Sequence, residues 1–286
     1  YYILWLILSI LQDKRYYMIV VSNLFSKTFN ALKGHWFQAI CVFFVYNLMI
    51  GVVQAIPGIG GFLSLVISGP LTVGICVYSL NIIRDNFPKA EDLIFGFKFN
   101  LGNGILAYFI LIPIILVSGF ILMILFLAIN FSIYLLILSV YYSQSYEAFT
   151  LSMDWEALLS PFRLFFDLGI LNSILMVLFL VISFCFSLIL PWIIVSIPFA
   201  MTFYIMAEDT STDAWDAIQQ SWKMMKGFKR SYLWLNVILL LMMIPISIFT
   251  LFIGLLWFIP FSFIITAIFY EEIKSQSEGE ETQLID

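Results

Sequence analysis

All 13 lysine and arginine residues and all 18 aspartate and glutamate residues lie outside a series of long apolar runs. Runs such as Trp36–Ile56, Phe62–Ile83 and Tyr232–Phe252 reach the roughly 20 residues a helix needs to cross a bilayer. Backbone inside lipid must satisfy its own hydrogen bonds, so runs of this kind fold as helices. The predicted class is all-α, a polytopic membrane helical bundle. Composition agrees, at 63% hydrophobic and 11% charged, where a soluble domain carries about a quarter charged residues. The net charge of −5 arises largely from Glu278, Glu280, Glu281 and Asp286 in the tail. Nothing in it is basic enough for a nucleic-acid partner. Cys41, Cys76 and Cys185 each fall inside apolar runs and read as small packing residues.

The charges also carry topology. They cluster before the first run, between pairs of runs and after the last, while turns such as Pro57–Gly61 hold none. The clusters therefore share one side. Lysine and arginine favour the cytoplasmic side, so both termini are predicted there, in a multi-pass bacterial cytoplasmic membrane protein. Tyr1–Leu11 is a short apolar stretch with its charges after it, the reverse of a secretory signal. Met18 reads as the native start, and residues 1–19 as an N-terminal extension.

A repeat runs through the chain. Gly34, Gly96, Pro161 and Gly227 each read as the breaker ending a surface segment, 62, 65 and 66 residues apart. Three continue alike, as Gly96-Phe97-Lys98, Pro161-Phe162-Arg163 and Gly227-Phe228-Lys229. Glu91–Leu106 also aligns without gaps to Glu156–Leu171. A fixed period of this size marks repeated supersecondary units. The expectation is one integral membrane domain over 20–270, with pseudo-repeats near 20–84, 85–148, 149–208 and 209–270. Each repeat is an amphipathic surface helix plus a transmembrane hairpin, giving six to eight spans. The uncharged run Ile105–Tyr142 is read as two helices turning near Ala128–Phe131. Gly169–Leu190 and Pro191–Ala207 are read as another pair, and Gly69-Pro70 as a break in its run. Residues 271–286 read as a disordered acidic tail.

The clearest surface segment is Ser211–Arg230. Trp215, Ile218, Trp222 and Met225 recur at helical spacing on one face, opposite Asp213, Asp216, Gln220 and Lys223. Its acidic residues come first and its lysines last, as the helix dipole favours, and Gly227 closes it. Val20–Lys33 reads as a second such helix. Asn86–Gly96 and Ser152–Ser160 read as shorter ones, the former with Pro88 at its first helical position.

Three constellations are candidates for function. Phe97, Lys98, Phe162, Arg163, Trp215, Trp222, Lys226, Phe228 and Lys229 pair aromatic rings with cations, the pattern of interfacial lipid anchors. Ser64, Ser68, Thr72 and Cys76 form a strip of small side chains, which suits close helix packing before it suits a conduit; Ser183/Ser187 and Ser262/Thr266 repeat it. Asn47, Gln54, Asn130 and Asn236 are polar groups at membrane depth, read as interhelical hydrogen-bonding groups. The single His35 has no companion ligand, and no catalytic residue, metal or cofactor is implied.

AIQQSWKMMKG (Ala217–Gly227) resembles the A-x-x-x-S-W-x-L-x-x-G segment of the membrane domain of some glycerophosphoryl diester phosphodiesterases and of uncharacterised bacterial YciC-type proteins, with Met224 in place of leucine. ALKGHWFQAI (Ala31–Ile40) and YIMAED (Tyr204–Asp209) are similar to elements of the same group. The resemblance implies a multi-pass bacterial inner-membrane protein. It carries no activity, because the catalytic groups of those phosphodiesterases belong to a separate soluble domain that no stretch here matches. The expected function is non-enzymatic: a membrane-organising, lipid-associated or envelope-maintenance role, with membrane lipids or other membrane proteins as partners. The alternative is a transporter or channel for an apolar or zwitterionic solute such as a lipid. The absence of ionisable groups inside the runs argues against an ion-coupled pump.

Overall fold

A computed structural model describes residues 22–144 and 170–283, and all regular structure among them is helical. The chain divides into two compact units, one of residues up to Pro113 and from Ser196 onward, the other of Ile114–Val195. Phe162, Arg163, Pro161, the segment Ser152–Ser160 and the extension before Met18 lie outside the described residues.

The first unit begins with α1, residues 22–32, which buries Leu24, Thr28 and Leu32 at four-residue spacing. Gly34, at φ 92°, stops it in the left-handed conformation glycine tolerates. Helix α2 (Trp36–Gln54) and α3 (Gly60–Ile83) form a hairpin around the uncharged turn. Gly69-Pro70 does not break α3, which runs through Pro70. The glycine is there for proximity: a Cβ on Gly69 would fall 2.1 Å from the Gly104 carbonyl oxygen. Gly96 is likewise no breaker. It lies inside α4 (Phe95–Phe99), where a Cβ would fall 2.1 Å from the Pro70 carbonyl oxygen. Small residues let backbones approach closely in lipid, where packing rather than water exclusion holds helices together. Ahead of α4, a 3-10 turn spans Ala90–Ile94 with Lys89 at its cap, so Pro88 precedes the helical residues.

Helix α5 (Leu101–Gln144) is continuous, correcting the expected turn near Ala128–Phe131. No glycine or proline lies between Gly119 and Gln144 to end it. Asn130 makes a lateral contact instead. Within the second unit its Nδ2 donates to Ser187 Oγ at 2.6 Å, and Ser183 Oγ donates to its Oδ1, joining α5 to α6 (Ile170–Ser196). Helix α6 holds Pro191 in its interior, where a boundary between two runs was expected. The interruption comes later, at Pro198 in the 3-10 turn Ile197–Phe199, followed by α7 (Thr202–Glu208). Among the described residues, six segments are therefore long and apolar enough to cross a membrane: Trp36–Gln54, Gly60–Ile83, Leu101–Leu136, Leu178–Glu208, Lys229–Phe249 and Leu255–Ser277.

After α8 (Ala214–Met224), α9 (Lys229–Phe249) and α10 (Leu255–Gln283) form the last hairpin. Helix α10 runs on to Gln283 through most of the tail expected to be disordered. Its first charged turn is held in place: Glu271 pairs with Arg84 at 2.5 Å, Glu272 with Lys27 at 2.6 Å and Lys274 with Glu208 at 2.8 Å. Helices α3 and α10 are the most enclosed of the spans. Phe43 packs against both Tyr78 and Phe263, and Tyr204 stacks on Tyr270 with centroids 5.7 Å apart. Phe37, Phe44, Leu48 and Val52 of α2 stay exposed, as a lipid-facing surface requires.

Candidate functional site

Three features of the first unit bring polar or charged groups together. The first is α8 and its surroundings. Its buried face consists of Ala214, Ala217, Ile218 and Ser221, with Met225 just beyond. Ile218 and Met225 pack inward with it, while Trp215 and Trp222 stay 54% and 43% exposed. The reason is size, since Ala214 and Ala217 let the helix backbone settle close to its neighbours and leave the indoles at its flanks. Lys229 Nζ lies 4.4 Å from the Trp222 ring centroid, a cation–π contact, and Lys226 is exposed. Phe97 and Phe228 turn inward, half-buried against the core, while Lys98 is exposed. In both pairs the ring packs against protein; Lys98 faces out, while Lys229 is half-buried over Trp222.

Ser221 is the serine of the A-x-x-x-S-W motif and is not among the candidate site residues named from the sequence. Its side chain is fully buried. The hydroxyl donates to the Pro198 carbonyl oxygen at 2.9 Å and accepts from the Met201 N–H at 3.2 Å. It thus satisfies two backbone groups freed where the fourth span is interrupted. The Ala-x-x-x-Ser-Trp spacing gives a small residue one turn before the hydroxyl, which is the available signal.

The second feature is a charged cluster at the ends of three spans. Arg84, one residue past α3, contacts Glu208 at 2.6 Å and Glu271 at 2.5 Å. Tyr270 donates to Glu208 Oε2 at 2.7 Å, and Lys27 of α1 reaches Glu272. Partial burial opposes the charge of Arg84, but hydrogen bonds and attraction from Glu208 and Glu271 win and raise its pKa further. Opposite charges directly following separate apolar runs were the legible clue. Nearby, the Asp209 carboxyl accepts from the Ser211 hydroxyl and N–H and from the Thr212 hydroxyl, which lowers its pKa.

The third feature lies at membrane depth, a cavity of about 240 Å³ bounded by α3, α7, α9 and α10. Thr72, Cys76, Tyr204, Tyr232, Asn236 and Thr266 supply most of its polar lining. The small-residue strip therefore divides. Ser64 and Ser68 are buried, their hydroxyls donating to the carbonyls of Gly61 and Ser64, whereas Thr72 and Cys76 face the cavity. Asn47 and Asn236 donate to the carbonyls four residues earlier in their own helices. Among the named membrane-depth amides, Asn130 makes the interhelical bonds described above.

The sequence profile of one family covers residues 18–277. The chain belongs to the family described as protein of unknown function DUF975. No curated protein and no solved structure matches this DUF975 chain.

Proposed function

We propose that this DUF975 protein is a non-enzymatic, lipid-associated protein of the bacterial cytoplasmic membrane, with both termini on the cytoplasmic side. Its role is to organise or maintain the membrane, with lipids as its first partners. The supporting observation is the arrangement of α8: small residues inward, Trp215 and Trp222 outward, with Lys229 over the Trp222 ring and Lys226 exposed just past the helix. Indole and ammonium groups together suit the headgroup layer, where a ring meets the acyl boundary and a cation meets phosphate. The likeness of Ala217–Gly227 to the YciC-type and phosphodiesterase membrane domains supports the same setting.

The test is tryptophan quenching in vesicles whose lipids carry bromine near the top of the acyl chain. Trp215→Phe and Trp222→Phe together should remove a substantial share of the quenchable emission. If the quenchable share is unchanged, the indoles face water or protein and this reading is wrong.

A second reading, a transporter or channel for an apolar or zwitterionic solute, draws support from the cavity at membrane depth. Its uncharged wall favours an uncharged solute within that class. Uptake of such a solute into vesicles containing the protein, and no uptake into protein-free vesicles, tests it.

A further inference from the structure

The cavity among α3, α7, α9 and α10 has a chemistry of its own, apart from the surface of α8. Its polar wall has largely committed its protons. Thr72 Oγ1 donates to the Ser68 carbonyl at 2.7 Å and Thr266 Oγ1 to the Ser262 carbonyl at 2.8 Å. Ser262 donates to the Ile259 carbonyl, and the Tyr204 hydroxyl to the Phe263 carbonyl at 2.9 Å. Asn236 spends an amide proton on the Tyr232 carbonyl at 2.8 Å. Tyr46 offers its hydroxyl to Thr72 Oγ1 at 3.4 Å, and the Tyr232 hydroxyl lies within hydrogen-bond reach of Asn236 and Thr266. Each hydroxyl oxygen still keeps acceptor capacity, as does the Asn236 carbonyl oxygen, so the wall offers more acceptors than free donors.

No charged residue lines the space. A charged occupant would be buried without a counter-charge, which costs far more than hydrogen bonds from neutral groups return. The remaining lining, Ala200, Phe203, Leu239 and Phe263, is apolar. Thr72, Asn236, Ser262 and Thr266 are only half-buried, so the polar side of the cavity is open at its edge. At about 240 Å³ it is smaller than the roughly 300–1,000 Å³ of ordinary ligand pockets. It has room for a small polar head and not for a pair of acyl chains.

We propose that this cavity binds an uncharged, hydroxyl-bearing group. The hydroxyl donates to the acceptors of Thr72, Asn236 and Thr266, and the apolar part of the ligand lies against Phe203 and Phe263. Such a group belongs either to a neutral membrane lipid of the diacylglycerol kind or to a small free alcohol.

The experiment uses the full chain in detergent and three probes: dioctanoylglycerol, its methyl ether and glycerol. The ether keeps the shape and loses the proton donor. Dioctanoylglycerol should bind saturably, and the ether about tenfold more weakly, the scale of one well-placed hydrogen bond. Thr72→Val with Thr266→Val should weaken dioctanoylglycerol to a similar degree while helical content by circular dichroism stays unchanged. If that pair fails to fold, Asn236→Leu is measured in its place, with weakening again expected. Displacement of the lipid by equimolar glycerol assigns the site to a free alcohol; no displacement assigns it to the lipid. Equal binding of alcohol and ether, undiminished binding by the folded variants, or no saturable binding of either dioctanoylglycerol or glycerol overturns the proposal. Any of those results would leave the contact of α8 with lipid standing, because the quenching measurement does not involve the cavity.

Discussion

Replacing Ser221 by alanine removes one oxygen atom and leaves two backbone groups without a partner. The site is fully buried, and the hydroxyl lies 2.9 Å from the Pro198 carbonyl oxygen and 3.2 Å from the Met201 nitrogen. A buried donor or acceptor stripped of its partner costs about 1–3 kcal/mol. Two such groups put the expected loss at about 2–4 kcal/mol, trimmed because the longer bond is the weaker one. The cavity left by a single oxygen is too small to admit a water that would repair it. The assay is reversible unfolding by a denaturing detergent, followed by circular dichroism, with Lys223→Ala as an exposed control on the same helix. The control should stay within about 0.5 kcal/mol of the parent. If Ser221→Ala also loses less than that, the hydroxyl is not what satisfies the interruption, and the argument for its place in the motif fails.

Three further expectations rest on other contacts. Gly96→Ala should destabilise strongly, by about 3 kcal/mol or more, because its Cβ would meet the Pro70 backbone. Gly227→Ala meets nothing within 4 Å and bears only its φ of 90°, so it should cost about 1 kcal/mol in the same unfolding assay. Arg84→Gln should cost about 1–3 kcal/mol by breaking contacts to two half-exposed carboxylates, and adding Glu271→Gln should cost less than the sum of the single changes in a double-mutant cycle. Asp209 has its pKa lowered by Ser211 and Thr212, so its contribution is present above the ordinary aspartate range and disappears as pH falls through its own lower value. Asp209→Asn should accordingly flatten the acid limb of a stability-versus-pH curve below about pH 4 and leave its slope near neutrality unchanged.

What could be read in advance followed from physics that acts along the chain. Charge exclusion from the runs is imposed by lipid, so the spans around Trp36–Gln54, Gly60–Ile83 and Lys229–Phe249 were legible. Gly34 and Gly227 were legible as helix ends because their positive φ is a local demand. Gly69 and Gly96 look identical in sequence, yet serve contacts with residues elsewhere in the chain, which no local pattern reveals. Length misled for Leu101–Gln144, since nothing within the run forces a turn. In α8 periodicity gives an apolar face, but alanines at 214 and 217 decide which side comes close to the rest of the protein. The cavity draws its polar groups from four helices and could not be assembled from any single stretch.

The enclosure of α3 and α10 has a consequence for biogenesis. Among the described residues, α3 is the second of six candidate spans and α10 the sixth. During synthesis α3 must therefore wait in the bilayer with Thr72 and Cys76 uncovered and Arg84 lacking Glu271, until α10 arrives to supply Ser262, Phe263, Thr266 and that carboxylate. The arrival of α10 also closes a clasp between Lys27 and Glu272, residues 245 positions apart. A chain halted before Leu255 would lack one wall of the cavity and every carboxylate contributed by α10. Such a chain would present an open polar seam to the lipid, the kind of lesion that membrane quality control can detect.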